Sequence, residues 1–412
     1  MWAWVVRAML IAGALAQTAV LVVLALLAMP EPPPTTVPLA PGPLGKVERS
    51  VGGFPHFFGS GQQGACTRIL AIDGGGVRGI IPALVLAEIE RRTGKSIANE
   101  FNIVVGTSTG AILALGLTRP SEADAEKPAF AAADIVALYR DHAGEIFPTS
   151  FQWLRNLQRV FRPKYFAQGP DGLFASYFGD VRLHEALTYV AVPAYDIEDR
   201  RRLWFDSFDS VGAVLTMKDV VRGATAAPTY LPPSKFAVDQ TVSPKGYFAL
   251  VDGALFANNP APEALDMARK LVPADGDQSL LLLSIGTGAS NQRRSFESAW
   301  NWGILGWVDP LLEITISDPS IEKSMERTLA DQDYMRLQLD LGPDPVAIDD
   351  ASAAALQRLT AMAEDFIRAH DDDLQTLSAA LAKPRAKGCL HVGSPWEPLT
   401  GPRKHEAAAQ GG

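Results

Sequence analysis

The sequence predicts an α/β fold with a mostly parallel central sheet, preceded by one N-terminal apolar helix. From about residue 66, short apolar runs alternate with helical patterns, as in chains whose helices connect parallel strands. Hydrophobic residues are 47% of the 412 residues, which is enough for a large core. Two cysteines and a formal net charge of −9 exclude a disulfide-dense scaffold and a basic nucleic-acid-binding surface. No histidines are spaced as metal ligands, so we expect no metal site.

The N-terminal segment, residues 8–29, is apolar and carries no charge. A helix of this length reaches about 33 Å, enough to cross a hydrocarbon core roughly 30 Å thick. We expect residues 1–29 to be an uncleaved membrane anchor, with a cleavable signal segment and a secreted domain as the alternative. Because Arg7 precedes the segment and the next basic residue is Lys46, the domain is expected outside the cytoplasm, in the periplasm. A domain that faces the cytoplasm is the other alternative.

The rest of the chain divides by composition. Residues 30–65 are rich in proline and glycine and are expected to be an extended linker. A catalytic domain is expected over residues 66–290, followed by an extension packed on it over 291–400 and a flexible tail over 401–412. In an exported domain, Cys66 and Cys389 could form a disulfide that joins its two ends; two unrelated buried thiols are the alternative.

A glycine-rich turn follows the first predicted strand, Arg68–Asp73. Gly74, Gly75, Gly76 and Gly79 lie between this strand and a predicted helix, so backbone N–H groups gather at a helix N-terminus, where they can bind an anion. A dinucleotide site would need an acidic residue at the end of the second strand, and none is present there. The pattern therefore favours an oxyanion hole, with a purely structural turn as the alternative.

The second predicted strand, Phe101–Val105, runs into Gly106-x-Ser108-x-Gly110 and then an apolar helix. This is the strand–turn–helix setting of a nucleophile elbow, in which glycines allow a turn too sharp for side chains. The following helix dipole favours negative charge on the serine oxygen. Ser108 is therefore the candidate nucleophile, and a tight structural turn is the alternative.

A serine nucleophile needs a base, and the sequence offers two candidates. Asp252 ends an apolar strand and is followed by Gly253 and Ala254, so we expect its carboxylate at the same sheet edge as Ser108. A turn-forming aspartate is the alternative explanation. The rival base is His391, which would complete the Ser…Asp…His order of α/β-hydrolases but could equally be a core histidine.

Together, DGGGVRG at 73–79, GTSTG at 106–110 and DGA at 252–254 resemble the patatin-like phospholipase family. The similarity spans roughly residues 67–290 and includes ATAAPTYLPP at 224–233 and LLLSIGTG at 281–288. The resemblance implies a modified α/β-hydrolase sandwich with a Ser–Asp dyad and no catalytic histidine. It also implies hydrolysis of fatty acyl esters in lipids, without a metal or organic cofactor.

By position, the resemblance assigns the nucleophile to Ser108 and its base to Asp252. It assigns the oxyanion donors to Gly75 and Gly76, with Arg78 steadying that turn. The remaining motif positions are Gly74, Gly79, Gly106, Gly110, Gly253 and Ala254.

The tryptophan-rich segment at residues 300–316 has no clean polar alternation. It is either part of the core or a lid or interfacial surface, since tryptophan suits positions between apolar and aqueous surroundings. The sequence therefore predicts a membrane-tethered lipid acyl hydrolase. A triad esterase that uses His391 and a non-catalytic nucleotide-binding or scaffold protein are the alternatives.

Overall fold

The computed structural model describes residues 65–148, 163–272, 279–300, 302–316, 319–330 and 333–384. The predicted membrane segment, linker and tail lie outside these ranges, as do His391 and Cys389. No helix within them is long and apolar enough to cross a membrane. The described residues fall into two compact units, one with residues up to 292 and from 311 onward, the other with residues 293–310.

The larger unit is built on an eight-stranded sheet with the order β5-β6-β3-β2-β1-β7-β8, in which β4 also pairs with β3. The strands within the described ranges are β1 (Thr67–Ile72), β2 (Ile103–Gly106), β3 (Tyr189–Asp196), β4 (Arg201–Asp206), β5 (Ser234–Ala237), β6 (Tyr247–Asp252), β7 (Leu280–Ile285) and β8 (Tyr334–Leu337). The five strands from β3 to β8 in this order pair in parallel. β4 and β6 each pair antiparallel with β3, and β5 pairs antiparallel with β6. The predicted α/β fold with a mostly parallel sheet is confirmed.

Helices cover both faces of this sheet. Along β1, Leu70 and Ile72 join one buried apolar cluster, whereas Ile69 and Ala71 join another on the opposite face. All six residues of β1 and all four of β2 are buried, which explains why these strands are almost continuous apolar runs.

The helices connect the strands in the expected alternation. The early ones are α1 (Ile80–Thr93), α2 (Ile97–Glu100), α3 (Thr109–Thr118), α4 (Ala132–Ile146), α5 (Gln168–Phe178), α6 (Met217–Ala224), α7 (Ala254–Ala257) and α8 (Ala261–Leu271). The later ones are α9 (Phe296–Ala299), α10 (Ile304–Ile316), α11 (Ser320–Thr328), α12 (Ala353–Ala369) and α13 (Asp371–Ala382). Gly94 ends α1 with φ +70°, a left-handed conformation that favours glycine.

The C-terminal part of the larger unit contributes to the central sheet. β8 pairs in parallel with β7, and α12 packs against α1. The segment expected to pack on the catalytic domain thus supplies an edge strand and a covering helix. Near the other end of the unit, Cys66 is buried and disulfide-bonded. Cys389 is the one other cysteine of the sequence.

In the smaller unit, the described residues are 293–300 and 302–310. Their aromatic rings pack in pairs: Phe296 with Trp300, at 5.3 Å between centroids, and Trp302 with Trp307, at 5.2 Å. This unit therefore contains the tryptophans of the segment for which the sequence predicted either core packing or a lid.

Candidate active site

Ser108 lies in a sharp turn between a strand and a helix. β2 ends at Gly106 and α3 begins at Thr109, and Ser108 between them has φ 54° and ψ −118°. A positive φ is uncommon for a residue with a side chain and marks local strain of the kind found at functional sites. A Cβ atom at Gly106 would collide with the carbonyl of Gly110, and one at Gly110 with the carbonyl of Ile72. These contacts explain why glycines flank the serine.

Asp252 is the buried carboxylate of this site. The residue is 2% exposed, lines the same pocket as Ser108, and accepts a hydrogen bond at Oδ1 from the Ala254 N–H at 2.8 Å. Burial raises the pKa of Asp252 to about 6, and hydrogen bonding by the Ser108 hydroxyl and the Ala254 N–H opposes part of this rise. Oδ2 has no well-aligned hydrogen bond within the described residues. Such loose contacts are common in catalytic pairs before substrate binds.

The register of β3 explains how these two side chains meet. In the parallel pairing with β2, Val105 stands opposite Ala191. In the antiparallel pairing with β6, Asp252 stands opposite Ala194. β2 and β6 therefore end on either side of β3, and Ser108 and Asp252, at those ends, line the same pocket.

The oxyanion turn, residues 74–78, connects β1 to α1. Gly75 and Gly76 line the pocket, and within the described residues their N–H groups have no hydrogen-bond partner. The next N–H, that of Val77, donates to the Ile348 carbonyl at 2.8 Å. Gly76 has φ +60°, and a Cβ atom there would collide with the Ile348 carbonyl. The turn thus presents two unpaired donors, the arrangement that stabilises a developing oxyanion.

Thr109 supplies a third donor, which the sequence analysis did not identify. It lines the pocket beside Ser108, and its N–H, the first of α3, has no partner in the part of the chain that the structure describes. In nucleophile elbows, the residue after the serine commonly contributes an oxyanion N–H. The GTSTG motif could therefore have indicated it.

Arg78 lies behind the oxyanion turn and does not line the pocket. It is fully buried, its Nε donates to the Val346 carbonyl at 2.7 Å, and its Nη2 forms an ion pair with Glu313 of α10. At the other end of the turn, Asp73 is paired with Arg336 of β8, with 3.0 Å between Oδ1 and Nη1. Glu313 and Arg336 were not predicted, because the sequence does not indicate which distant residue a single charged side chain will pair with.

The other motif positions make close backbone contacts. The Gly74 N–H donates to the carbonyl of Asn258 at 3.1 Å. A Cβ atom at Gly79 would collide with side chains of neighbouring helices, and one at Gly253 would come within 2.5 Å of an adjacent strand. The Ala254 N–H is bound to the carboxylate of Asp252, so the motif positions leave little free space around the turns that they form.

The pocket beside Ser108 is mostly apolar. It encloses about 1070 Å³, including its open mouth. One wall is a face of α4, another is the segment after α6, and the end of α10 forms a third. Its apolar side chains include Leu138, Ala143, Ile146, Phe147, Phe174 and Leu312. These residues were not singled out from the sequence, since nothing distinguishes a pocket wall from a core face in a periodic apolar pattern.

Within the described ranges, no histidine lines the pocket. His142 pairs with Glu145 on the surface, and His370 stacks on Phe366. His391, the rival base, lies outside the described residues. The same ranges contain no group of histidine, cysteine, aspartate or glutamate side chains that could hold a metal ion.

Comparison with known proteins identifies the family. The patatin-like phospholipase family pattern matches residues 70–265. Patatin-like protein 1 of Arabidopsis thaliana is 32% identical over 341 residues, covering 74% of this chain and 82% of the relative. This chain belongs to the patatin-like phospholipase family.

Other patatins are similar over comparable lengths. Patatin-T5 of Solanum tuberosum is 30% identical over 352 residues, covering 78% of this chain and 89% of the relative. Probable inactive patatin-3-Kuras 1 of the same plant is also 30% identical over 352 residues, covering 78% of this chain and 92% of the relative. Because a relative named as inactive is this similar, the activity of this patatin-like protein has to be argued from its site.

Proposed function

We propose that this protein is a lipid acyl hydrolase, a serine carboxylic-ester hydrolase that cleaves fatty acyl esters through an acyl-enzyme intermediate on Ser108. One juxtaposition carries the proposal. A strained serine, a buried carboxylate and unpaired N–H donors share the wall of one apolar pocket. Each component matches a requirement of acyl transfer: a nucleophile, a base and an oxyanion site. Membership of the patatin-like phospholipase family supports the same substrate class.

In the first half of the reaction, Asp252 accepts the hydroxyl proton of Ser108 as the serine oxygen attacks the ester carbonyl carbon. The pKa of about 6 leaves this carboxylate ionised at neutral pH, yet more basic than an exposed aspartate. The carbonyl oxygen becomes an oxyanion that the N–H groups of Gly75 and Gly76 stabilise. The intermediate then collapses, the ester C–O bond breaks, and the proton on Asp252 passes to the departing alcohol.

The second half repeats these steps with water. Asp252, again ionised, takes a proton from a water molecule that attacks the acyl-enzyme carbonyl, and the same donors stabilise the second oxyanion. Collapse of this intermediate breaks the bond to Ser108 Oγ, which regains its proton from Asp252, and the fatty acid is released. No cofactor enters either half.

The acyl chain of the substrate is proposed to lie along α4. The Tyr139 hydroxyl is hydrogen-bonded to Thr109, so this part of the helix adjoins the nucleophile. Ala143, Ile146 and Phe147 follow on the same helical face and also line the pocket. At 1.5 Å per residue, the stripe from Tyr139 to Phe147 extends about 12 Å. An extended acyl chain can therefore bury its first carbons against this stripe.

Apolar side chains also reach the protein surface near the pocket. Leu255 lines the pocket and is 55% exposed. On α10, Leu311 and Ile314 are 55% and 59% exposed, and they adjoin Leu312 and Thr315, which line the pocket. Exposed apolar side chains near a pocket fit a substrate that is delivered from lipid.

We also propose that residues 8–29 anchor the chain in a membrane with the domain on the periplasmic side, which would bring the pocket near lipid. The full chain should stay with membranes after an alkaline carbonate wash, and a variant without residues 1–44 should be soluble and active. Protease should digest the domain once the outer envelope is permeabilised. Release of the full chain by carbonate would contradict the anchor, and protection of the domain would contradict the orientation.

The test of the enzymatic proposal is ester hydrolysis by the purified full chain, on a p-nitrophenyl fatty acyl ester and on a phospholipid. The Ser108→Ala variant should lose about 10⁴-fold or more of the rate, since it lacks the nucleophile. The control is Ser210→Ala, because Ser210 is an exposed turn serine bonded only to Asp209 within the described residues. Retention of activity within about tenfold in Ser108→Ala would overturn the mechanism.

A further inference from the structure

A distant segment of the chain, residues 346–349, braces the oxyanion turn. The Ile348 carbonyl accepts the N–H of Val77 at 2.8 Å, and the Val346 carbonyl accepts Nε of Arg78 at 2.7 Å. This segment lies beyond residues 70–265, the region matched by the family pattern. Because it touches the turn directly, its position determines where the unpaired N–H groups of the turn point.

The bracing segment is not part of a strand or helix. It lies in the irregular stretch between the end of β8 at Leu337 and the start of α12 at Ala353. Irregular backbone lacks the repeated hydrogen bonds of a ladder or helix, and such stretches open more easily than core elements. To hold the turn still, the segment needs anchors of its own.

Asp349 provides such an anchor. Its Oδ2 accepts hydrogen bonds from Nζ of Lys164 at 2.7 Å and from the Tyr165 hydroxyl at 2.8 Å. The side chains of Lys164 and Asp349 are 6% and 9% exposed. Both charges are therefore largely removed from water and satisfied by each other.

The other end of this ion pair is fixed to the pocket wall. The N–H of Lys164 donates to the Thr229 carbonyl at 2.9 Å, and the N–H of Tyr165 donates to the Tyr230 carbonyl at 2.8 Å. Tyr230 lines the pocket. Lys164 and Asp349, which are 185 residues apart in sequence, thus connect the segment that braces the oxyanion turn to another wall of the pocket.

Stability alone does not explain this arrangement. Replacing a buried ion pair by apolar residues of similar size is often neutral or stabilising, because desolvation offsets the attraction between the charges. Asp349 also lines the pocket, but its carboxylate cannot donate a hydrogen bond to an oxyanion. Any effect of Asp349 on the reaction is therefore indirect. It acts through the backbone of the bracing segment, which contacts the oxyanion turn.

We propose that Lys164 and Asp349 are positioning residues, whose ion pair fixes the bracing segment and through it the oxyanion turn. The inference rests on the proposed function, since it assigns a role in the same reaction. Loss of the pair lets the segment shift, and the N–H groups of Gly75 and Gly76 then no longer converge on the oxyanion. Substrate binding in the apolar pocket remains.

The test compares Asp349→Asn, Lys164→Met and the double variant with wild type, all as full chains. A misplacement of about 1 Å can cost about 100-fold in rate, so kcat should fall roughly 10- to 100-fold in the single variants, with KM within about twofold. Affinity for an alkylboronic acid, whose tetrahedral adduct puts an oxygen in the oxyanion site, should fall in parallel. Because the two residues act as one unit, the double variant should be no worse than the poorer single variant.

Two further variants keep the test independent of folding. Tyr165→Phe removes one hydrogen bond to Asp349 without leaving a buried charge, and kcat should fall by a smaller factor in the same direction. Asp344→Asn is the matched control, because Asp344 lies in the same irregular stretch and forms an exposed ion pair with Arg358 of α12. This variant should leave kcat unchanged. Unfolding temperatures of all variants identify any that act through stability alone.

Three results would overturn the positioning role. The first is a lower unfolding temperature with kcat within twofold of wild type, which would leave the pair a structural role only. The second is a raised KM with unchanged kcat, which would make Asp349 a substrate contact. The third is additive losses in the double variant. Failure of the proposed function would be seen separately, as Ser108→Ala retaining wild-type activity.

Discussion

Ser108 and Asp252 line the same pocket from either side of β3, although the strands that lead to them run in opposite directions. β2 is parallel to β3 and β6 is antiparallel to it, and the register of β3 brings the ends of both strands together. The carboxylate is buried by this arrangement, and burial raises its pKa to about 6. The arrangement that places Asp252 in the pocket beside Ser108 therefore also makes this carboxylate, the proposed base, more basic.

Asp252→Asn should be nearly as damaging as Ser108→Ala, because the amide cannot accept the hydroxyl proton at the position of Oδ2. The double variant should lose little more than either single variant, since the two side chains act as one unit. His391→Ala should keep most of the activity. The measurement is kcat/KM on one fatty acyl ester for these four variants and wild type. A crippled His391→Ala with an active Asp252→Asn would establish a triad instead.

The pH dependence of the reaction should report Asp252. The carboxylate has to be ionised to accept a proton, and its pKa is about 6, so kcat/KM should decline below about pH 6. Each further pH unit should cost about tenfold. A profile of the free enzyme from pH 4 to 8 measures this. A decline of kcat/KM centred at the ordinary pKa of aspartate would contradict the raised pKa of Asp252. Loss of the decline in His391→Ala would instead assign this titration to His391.

The same pKa predicts a stability gain in Asp252→Asn. A pKa of about 6 in the folded protein, against 3.8 without burial, means that the folded state holds the proton more tightly. Wild type therefore loses stability as the pH rises from about 4 to 6, and the loss persists above pH 6, to the order of 3 kcal/mol. Asp252→Asn has no carboxylate to ionise in the folded protein, so it avoids this loss of stability.

Unfolding temperatures at pH 8 and pH 4 measure this gain. Asp252→Asn should exceed wild type at pH 8, and the difference should shrink at pH 4. Asp209→Asn, at an exposed position, serves as the control for removal of a charge. An equal difference at both pH values would contradict the burial argument.

Ala143→Phe should shorten the preferred acyl chain. Ala143 is buried on the pocket face of α4, one helical turn beyond Tyr139, so a phenyl ring there would fill the space assigned to the chain. The ratio of kcat/KM for short over long p-nitrophenyl esters should rise by roughly tenfold or more. Ala137→Phe, on the exposed face of the same helix, should leave the ratio unchanged. No change in Ala143→Phe would place the chain elsewhere.

The sharp turn that carries Ser108, the proposed nucleophile, and its flanking glycines could be predicted because the signal is local. A G-x-S-x-G sequence between a strand and a helix requires a sharp turn at the serine, and the positive φ of Ser108 follows from that turn. The α/β fold was predictable for a related reason. Strands buried on both faces, such as β1 and β2, are recognisable from their own residues.

Long-range partners could not be predicted in this way. Asp252 was expected at the sheet edge of Ser108, but the antiparallel direction of β6 depends on the path of the chain between β3 and β6. The pairing of Asp349 with Lys164 joins residues that are 185 positions apart, and each alone reads as an ordinary surface charge. Such pairs become visible only when the fold brings them together.

The central claim is that Ser108 is the nucleophile of an ester hydrolase, and covalent labelling of the full chain by a fluorophosphonate tests it most directly. Peptide mass spectrometry should locate a single adduct on Ser108, with slower labelling in Asp252→Asn and none in Ser108→Ala. The Ser210→Ala control should be labelled at the wild-type rate. Undiminished labelling of Ser108→Ala, or an adduct on another serine such as Ser284, would contradict the account.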